Sequence, residues 1–447
     1  MSSLKELARL MQELQDQLVS CRRCGLCQAV CPLFAETGRE ADVARGKLAL
    51  LSGLAQEILQ NPQGVQDHLS RCLLCGSCAA NCPSGVKVLE IFIKARAILA
   101  GYLGLSPVKK VIFRGLLSQP DWFNRILAWG ARFQGILVKP VDDLLGSSCA
   151  RFRSPRLADR HFKALAPVPW HVKVPRRDNP PGAANLKVAF FVGCLIDKFY
   201  PQVADAVLQV LDHHGVGVYL PAGQGCCGLP VIEGGDTQTF KQLVRHNLKL
   251  LNDPAAPCDY LVTACATCSF TIKQLWPLMM ADSPPAEQER LQALAAKTLD
   301  ISQFLVDKVG VAPAAAAGPE DGRIPLTYHD PCHLKKSLGV AAQPRALLQA
   351  NPAYILQEMT ESDWCCGCGG SFNLQHYETS AAIGARKRDN IAASHCRVVT
   401  TGCPACMLQI TGMLSQAGLR VQVKHAVEVY AESLVRGTGA KPLKNLT

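Results

Sequence analysis

The residues in this sequence with the clearest capacity for chemistry are its cysteines. "CRRCGLCQAVCP" (21–32) and "CLLCGSCAANCP" (72–83) share one spacing, C-x2-C-x2-C-x3-C-P. Three thiolates this close can wrap one face of an iron–sulfur cube, while the turn and proline carry the fourth toward a neighbouring cube. A second pattern follows. Cys194, Cys226-Cys227 and Cys265-x-x-Cys268 recur as Cys332, Cys365-Cys366 and Cys403-x-x-Cys406, at offsets of 138, 139 and 138 residues. Cys258, ahead of "YLVTAC", has its counterpart in Cys396, ahead of "VVTTGC". Five thiols per repeat exceed the needs of one zinc ion or one cubane cluster, and a spare thiolate can bridge two irons. Adjacent cysteines point apart on an extended chain. Both can face one multi-iron group only if the loop curls, which Gly367, Gly369 and Gly370 permit.

The first two runs carry the bacterial two-cluster ferredoxin spacing, in which the fourth cysteine of each run serves the other cluster. One [4Fe–4S] cluster is therefore assigned to Cys21, Cys24, Cys27 and Cys82, and the other to Cys72, Cys75, Cys78 and Cys31. A pair of zinc modules is the alternative, and the duplicated x3-C-P ending argues against it.

Composition narrows the setting. The chain has 447 residues, 48% of them hydrophobic, and 22 cysteines. A disulfide scaffold would be short, secreted and poor in apolar residues. "MSSLKELARLMQELQDQ" reads as a charged amphipathic helix and lacks the features of a signal peptide. The thiols are thus expected as metal ligands in a reducing cytoplasm. The formal charge is +11, and residues 101–180 hold 14 Lys+Arg against 5 Asp+Glu. No run reads as a membrane span. The stretch 398–419 is uncharged, but Pro404 and its polar residues suit a strand followed by a helix.

The elements that must position the thiols follow from patterning. Residues 1–19 are expected as a helix, and "DVARGKLALLSGLAQEIL" as an amphipathic helix between the cysteine runs. Residues 101–180 mix apolar, aromatic and basic residues at helical spacing, ending in the Pro-rich linker "APVPWHVKVPRRDNPPG". Strand and helix patterns alternate from about 186, and "RIPLTYHDPC" begins the series again. The expected fold class is α+β multidomain: a helical two-cluster ferredoxin-like domain (1–100), a basic helical region and linker (101–185), then a duplicated Rossmann-like α/β domain (186–320 and 321–447) related by a pseudo-twofold axis.

The repeated pattern resembles the cysteine-rich CCG domain of heterodisulfide reductase subunits and of iron–sulfur subunits of 2-hydroxyacid oxidoreductases. The whole arrangement resembles the iron–sulfur subunit of glycolate oxidase and D-lactate dehydrogenase, through "ARGKLALL", "NCPSGV", "AGQGCCG", "DPCHL" and "VKHAVEVYAESL" across residues 15–435. The resemblance implies one metal site at Cys194, Cys226, Cys227, Cys265 and Cys268. It implies a second at Cys332, Cys365, Cys366, Cys403 and Cys406. Each would hold a further [4Fe–4S] cluster, non-cubane or cubane, with zinc the alternative at one of them. Both C-x2-C pairs are intact, which moves the chain toward the lactate- and heterodisulfide-type members.

The implied function is electron transfer from an FAD-containing 2-hydroxyacid (D-lactate or glycolate) dehydrogenase subunit to a quinone or membrane redox protein. The chain would be cytoplasmic or peripheral on the inner face of the cytoplasmic membrane. Two alternatives stand beside it: cleavage of a disulfide at the CCG cluster, or a membrane-associated role as in anaerobic glycerol-3-phosphate dehydrogenase. No dinucleotide or Walker motif is present, and the basic stretch lacks a nucleic-acid-binding signature, so no nucleic-acid partner is expected.

Other residues have two readings each. His329 and His333 flank Cys332, as hydrogen-bond or proton donors to a cluster or as packed loop histidines. Cys368 is an extra thiol beside the second site or a small side chain in a turn. His425 and Glu428 read first as a helix start packed on the sheet. Cys258 and Cys396 read as core residues, and Cys149 as part of the linker. Trp, Phe and Arg in 101–177 suit docking to a partner subunit or a membrane surface.

Overall fold

The computed structural model describes residues 4–152, 160–314 and 322–437. The chain forms two compact units. The first comprises Met1–Gln119, Gly228–Val244 and Cys365–Ala385; the second comprises Pro120–Cys227, Arg245–Trp364 and Arg386–Thr447.

The first unit is helical. Leu4–Gln12, Ala44–Ala55, Pro62–Ser70 and Val88–Leu103 pack together. They bury Leu7, Met11, Leu48, Leu51, Leu54, Ile91, Phe92 and Leu99. The expected helix over 1–19 is two pieces, Leu4–Gln12 and Gln15–Leu18. Asn61 starts the third helix: its side chain accepts from Gly64 N at 2.9 Å, and Pro62 fills the first turn. Of the other two segments of this unit, Gly228–Val244 follows the adjacent cysteines of the first repeat, and Cys365–Ala385 begins with those of the second. Arg96 reaches Glu233 O at 3.3 Å, Arg114 pairs with Asp236 at 2.9 Å, and Ser70 meets His376 at 3.3 Å.

The second unit holds the described strands. Three short strands form an antiparallel sheet, β1 (Val138–Asp142), β2 (Ser147–Ala150) and β3 (His161–Lys163), in the order β1-β2-β3. The sequence pattern shows helix and linker there, and Cys149 lies in β2. The sheet is held by its neighbours: His161 Nδ1 lies 2.8 Å and Ser147 Oγ 2.6 Å from Ser415 Oγ, on helix Pro404–Gln416.

Next come β4 (Arg177–Asp178), β5 (Lys187–Phe190), β6 (Gly217–Leu220), β7 (Tyr260–Thr263) and β8 (Thr298–Asp300), ordered β4-β6-β5-β7-β8. All neighbours are parallel except the β4 edge. The last four, β9 (Ile324–His329), β10 (Tyr354–Leu356), β11 (Val398–Thr401) and β12 (Gln422–His425), form a parallel sheet ordered β10-β9-β11-β12. The order β6-β5-β7-β8 is thus repeated as β10-β9-β11-β12, so the sequence repeat is a repeat of topology. Strands buried on both faces read as short apolar runs such as "KVAF" and "YLVT". The two halves touch through helix Pro201–His213 and helix Ala426–Gly437, where His214 Nε2 lies 2.9 Å from Tyr430 Oη. Ala266 N also donates to Gly402 O at 3.1 Å.

Candidate metal centres

In both N-terminal runs the chain turns in the same way. Arg23 and Leu74 have φ of 55° and 53°, and Gly25 and Gly76 have φ of 87° and 74°. Two left-handed residues curl each C-x2-C-G stretch, and glycine adopts that backbone without a Cβ clash. Short helices Leu26–Ala29 and Ser77–Ala80 follow, carrying Cys27 and Cys78. Two cavities result. Cys21, Cys24, Cys27 and Cys82 line one of about 390 Å³, partly open to solvent. Cys31, Cys72, Cys75 and Cys78 line the other, of about 430 Å³. The fourth cysteine of each run therefore lies with the other run's three, and Cys78 lines both cavities. The four thiols of each assigned set fit the donor set of a cubane cluster, with Cys78 of the second set forming part of both walls.

The surroundings of the two cavities differ. At the first, Cys24 is exposed, and Arg45 is a surface residue held by Glu40 at 2.7 Å. At the second, burial pushes the Cys31 thiol up to about 12 and raises Cys72 and Cys78, with neighbouring thiolates adding to the effect. Lys47 and Arg96, both buried, oppose the rise at Cys72. Arg96 donates to Leu69 O at 2.5 Å and to Cys72 O at 2.7 Å. Lys47 donates to Ala41 O at 3.3 Å and to Asp42 O. Crowded buried thiols favour their neutral form until a metal takes their charge.

The repeat thiols stand at the carboxyl ends of parallel strands. Cys194 follows β5, Cys226-Cys227 follows β6 and Cys265 follows β7, beside the point where strand order reverses. Open α/β sheets bind their ligands there. The adjacent cysteines divide their contacts. Cys194 Sγ lies 4.0 Å from Cys226 Sγ, whereas Cys268 is within hydrogen-bonding reach of Cys227 and Cys265. All five thiols of the first set form one contact chain. Mutual contacts and burial raise Cys226 and Cys268 well above the usual thiol range. At Cys265 the bond with Cys268 pulls down, but contact with Cys403 and burial outweigh it and hold that thiol well above the usual range too.

Two residues that sequence reasoning missed hold the paired-cysteine turn. Asn247 accepts from Gly225 N at 2.9 Å and donates to Cys226 O at 3.0 Å. Trp276 Nε1 donates to Cys227 O at 2.9 Å. Neither residue stands out in the sequence, because each acts on backbone far along the chain.

Cys332, Cys403 and Cys406 of the second set lie in the second unit, and Cys365 and Cys366 in the first. Cys365, Cys366, Cys403 and Cys406 are buried. Cys403 lies 3.5 Å from Thr267 Oγ1 and within hydrogen-bonding reach of Cys265, its counterpart in the other repeat. Hydrogen bonds from Cys265 and Cys406 pull the Cys403 thiol well below its usual range. Ser380 Oγ donates to Gly367 O at 2.7 Å, fixing the glycine turn after Cys366. Cys368 is half-buried and Cys396 is buried, but Cys258 is only half-buried, with its thiol 3.4 Å from Ala256 O.

The histidines separate. His333 stacks on Phe270 at 4.5 Å and lies 3.5 Å from Thr267 Oγ1. His329 is buried, with Nδ1 3.2 Å from Ser362 O. A carbonyl only accepts, so Nδ1 carries the proton, and neutral His329 has no second N–H to donate to sulfur. His425 is buried at the end of β12, and Glu428 accepts from its backbone N at 2.7 Å.

Comparison with known proteins agrees with this arrangement. The pattern of the 4Fe-4S dicluster domain matches residues 17–86, and that of the cysteine-rich domain, CCG, matches residues 188–273 and 326–411. The chain is 28% identical to the probable glycolate oxidase iron-sulfur subunit of Bacillus subtilis, over 97% of this chain and 99% of that protein. It is 32% identical to lactate utilization protein A of Geobacillus kaustophilus, over 55% of this chain and 98% of that protein. It is 28% identical to a subunit of the fumarate reductase (CoM/CoB) of Methanothermobacter marburgensis, over 94% of this chain and 73% of that protein. The architecture is mixed α/β, with an N-terminal dicluster domain and two CCG domains on parallel sheets. The chain, with its dicluster domain and two CCG domains, is a homologue of the glycolate oxidase iron–sulfur subunit and belongs to the CCG-domain family that includes lactate utilization protein A.

Proposed function

We propose that this chain is the electron-transfer subunit of a flavin-dependent 2-hydroxyacid dehydrogenase complex of the D-lactate or glycolate type. An FAD-containing partner subunit oxidises the hydroxyacid, and the electrons leave this chain for a quinone or membrane redox protein. The observation that carries the reading is the pair of neighbouring thiol-lined cavities that share Cys78, in a chain similar along nearly its whole length to a probable glycolate oxidase iron–sulfur subunit. Bound clusters supply one-electron steps, which a two-electron flavin needs if it is to feed a remote acceptor.

In this reading Cys21, Cys24, Cys27 and Cys82 hold one cubane cluster, and Cys72, Cys75, Cys78 and Cys31 the other. The five-thiol sets of the two repeats hold further iron–sulfur clusters, with zinc the alternative at one. Lys47 and Arg96 place positive charge beside Cys72 and favour the reduced state of its cluster.

An acceptor-facing surface is supported by helix Pro120–Leu137. It turns Asn124, Ala131 and Gln134 inward: Asn124 accepts from Lys198 at 2.7 Å, and Gln134 exchanges two 2.9 Å bonds with Leu165. It turns Trp122, Ile126, Trp129, Phe133, Ile136 and Leu137 outward, with Trp129 68% and Ile136 71% exposed. Arg125 and Arg132 are exposed beside this apolar stripe. Aromatic and aliphatic residues bordered by basic ones suit the headgroup region of an anionic bilayer. No helix among the described residues is long and apolar enough to cross a membrane.

Disulfide cleavage at the CCG thiols is the second reading. The intact C-x2-C pairs and the likeness to the fumarate reductase (CoM/CoB) protein favour it. Anaerobic co-purification separates the two. A bound flavoprotein, with EPR signals of this chain appearing on addition of D-lactate or glycolate, supports the first. Absence of any hydroxyacid-dependent reduction, with turnover of a disulfide instead, overturns it.

A further inference from the structure

The two repeats differ at one buried position beside their thiols. The offset that pairs Cys194 with Cys332 also pairs Phe191 with His329. Both residues stand at the carboxyl end of the first strand of their repeat, Phe191 just after β5 and His329 closing β9, and both are buried. One repeat fills this place with hydrocarbon and the other with an imidazole.

The ring of His329 is locked. Nδ1 donates to Ser362 O at 3.2 Å, and the same carbonyl accepts from Asp330 N at 3.0 Å and Lys387 Nζ at 3.2 Å. Ser362 Oγ donates to Asp330 Oδ2 at 2.9 Å, and Arg345 clamps that carboxylate at 2.8 and 2.9 Å. These contacts fix both tautomer and orientation, and leave the lone pair on Nε2. That atom is buried without a hydrogen-bond partner. A ring nitrogen of His329 lies within 4.8 Å of Cys406 Sγ. An imidazole anchored to a backbone carbonyl through Nδ1, with an unpartnered Nε2 and a ring nitrogen near a thiol sulfur, has the build of a metal-ligating histidine.

We propose that His329 Nε2 is a metal ligand at the second repeat, joining Cys406 in a nitrogen–sulfur donor set where the first repeat offers sulfur alone. The proposal rests on the reading that the second repeat holds metal. A neutral imidazole in place of a thiolate removes negative charge from the centre and raises its reduction potential. The second repeat would then be the more oxidising of the two.

The test uses the full chain, loaded and purified anaerobically, with and without 15N-histidine. Pulsed EPR of the wild type is expected to show a coordinated nitrogen whose coupling changes on labelling. X-ray absorption at the iron or zinc edge is expected to include a nitrogen scatterer. His329→Phe, which copies the first repeat, should abolish the nitrogen signal while the dicluster signals persist. His329→Cys keeps a ligand at this position, so metal should be retained without the nitrogen coupling and at a lower potential. A metal-loaded second repeat with sulfur-only ligation overturns the His329 assignment and leaves the metal reading intact. A second repeat that binds no metal in the wild type overturns both.

Discussion

Gly193 packs against Cys268: a Cβ at position 193 would lie 3.1 Å from the Cys268 sulfur. Gly193 also has φ 78° and ψ 151°, a backbone region that is essentially reserved for glycine. Gly193→Ala therefore strains the backbone by about 1–3 kcal/mol and pushes on a thiol of the first CCG set. Iron analysis and EPR should show loss or distortion of one CCG-site signal with the dicluster signals unchanged. A variant with wild-type metal content and spectra would remove Cys268 from the site.

Two buried cations, Lys47 and Arg96, stand beside Cys72 at the second dicluster cavity, while the cations lining the first, Arg22, Arg23 and Arg45, lie at the surface. Arg96→Gln removes one charge and keeps an amide donor for the carbonyls of Leu69 and Cys72. It should lower the midpoint potential of the cluster bound by Cys72 by about 59 mV, which is a tenfold change in the reduced-to-oxidised ratio for a one-electron couple. The other cluster serves as the internal control in an EPR-monitored titration. Equal shifts in both clusters, or none, would contradict the electrostatic account.

Much of this was legible because ligand spacing is local. The two C-x2-C-x2-C-x3-C-P runs and the 138-residue repeat are read directly from the chain, and the strand order repeats with them. The antiparallel sheet β1-β2-β3 was not legible. Its strands are short, Pro140 interrupts β1, and their order depends on contacts with Ser415, far away in sequence. Asn247, Trp276 and Ser362 were invisible for a related reason, since each acts by bonding to the backbone of, or orienting, a site residue elsewhere. His329 was visible, but its role was not, because the direction of its hydrogen bond depends on the Ser362 carbonyl.

Cys78 lines both dicluster cavities, while Cys24 lines one. Cys24→Ser should abolish or convert one cubane signal and leave the other intact. Cys78→Ser should do this to its own cluster and also shift the spectrum of its neighbour. Confinement of the Cys78→Ser effect to a single cluster would show that the shared wall does not couple them.

His425 and Glu428 pull the pH dependence of stability in opposite directions. Burial lowers His425 from 6.5 to about 4, and burial raises Glu428 from 4.5 to about 7. The histidine binds protons better when unfolded, so its contribution is lost as pH falls from about 6.5 toward 4. The carboxyl binds protons better when folded, so its contribution is lost as pH rises from about 4.5 through 7. Between those limits the two slopes cancel. Glu428→Gln keeps an acceptor for His425 N and leaves the histidine slope alone. Stability should then rise with pH across that window by up to about 1.4 kcal/mol per pH unit. Thermal unfolding midpoints from about pH 4.5 to 6.5 test this, and parallel curves for wild type and variant would refute it.

Trp129 and Phe133 pack on each other with ring centroids 4.9 Å apart, on the outward face of helix Pro120–Leu137. Two rings held together in water, bordered by Arg125 and Arg132, lose little conformational freedom on insertion into a headgroup layer. Each large apolar side chain removed from water contributes about 1.5–3 kcal/mol. Trp129→Glu combined with Ile136→Glu should therefore cut binding to anionic phospholipid vesicles at least about tenfold. Both side chains are exposed, so the fold and cluster spectra should be unchanged. Wild-type binding should weaken as salt is raised, because the arginines contribute a screened attraction. Failure of the wild-type chain to sediment with anionic vesicles would refute the membrane assignment and point to a protein partner on this face. Undiminished binding by the double variant would move the membrane contact elsewhere on the chain.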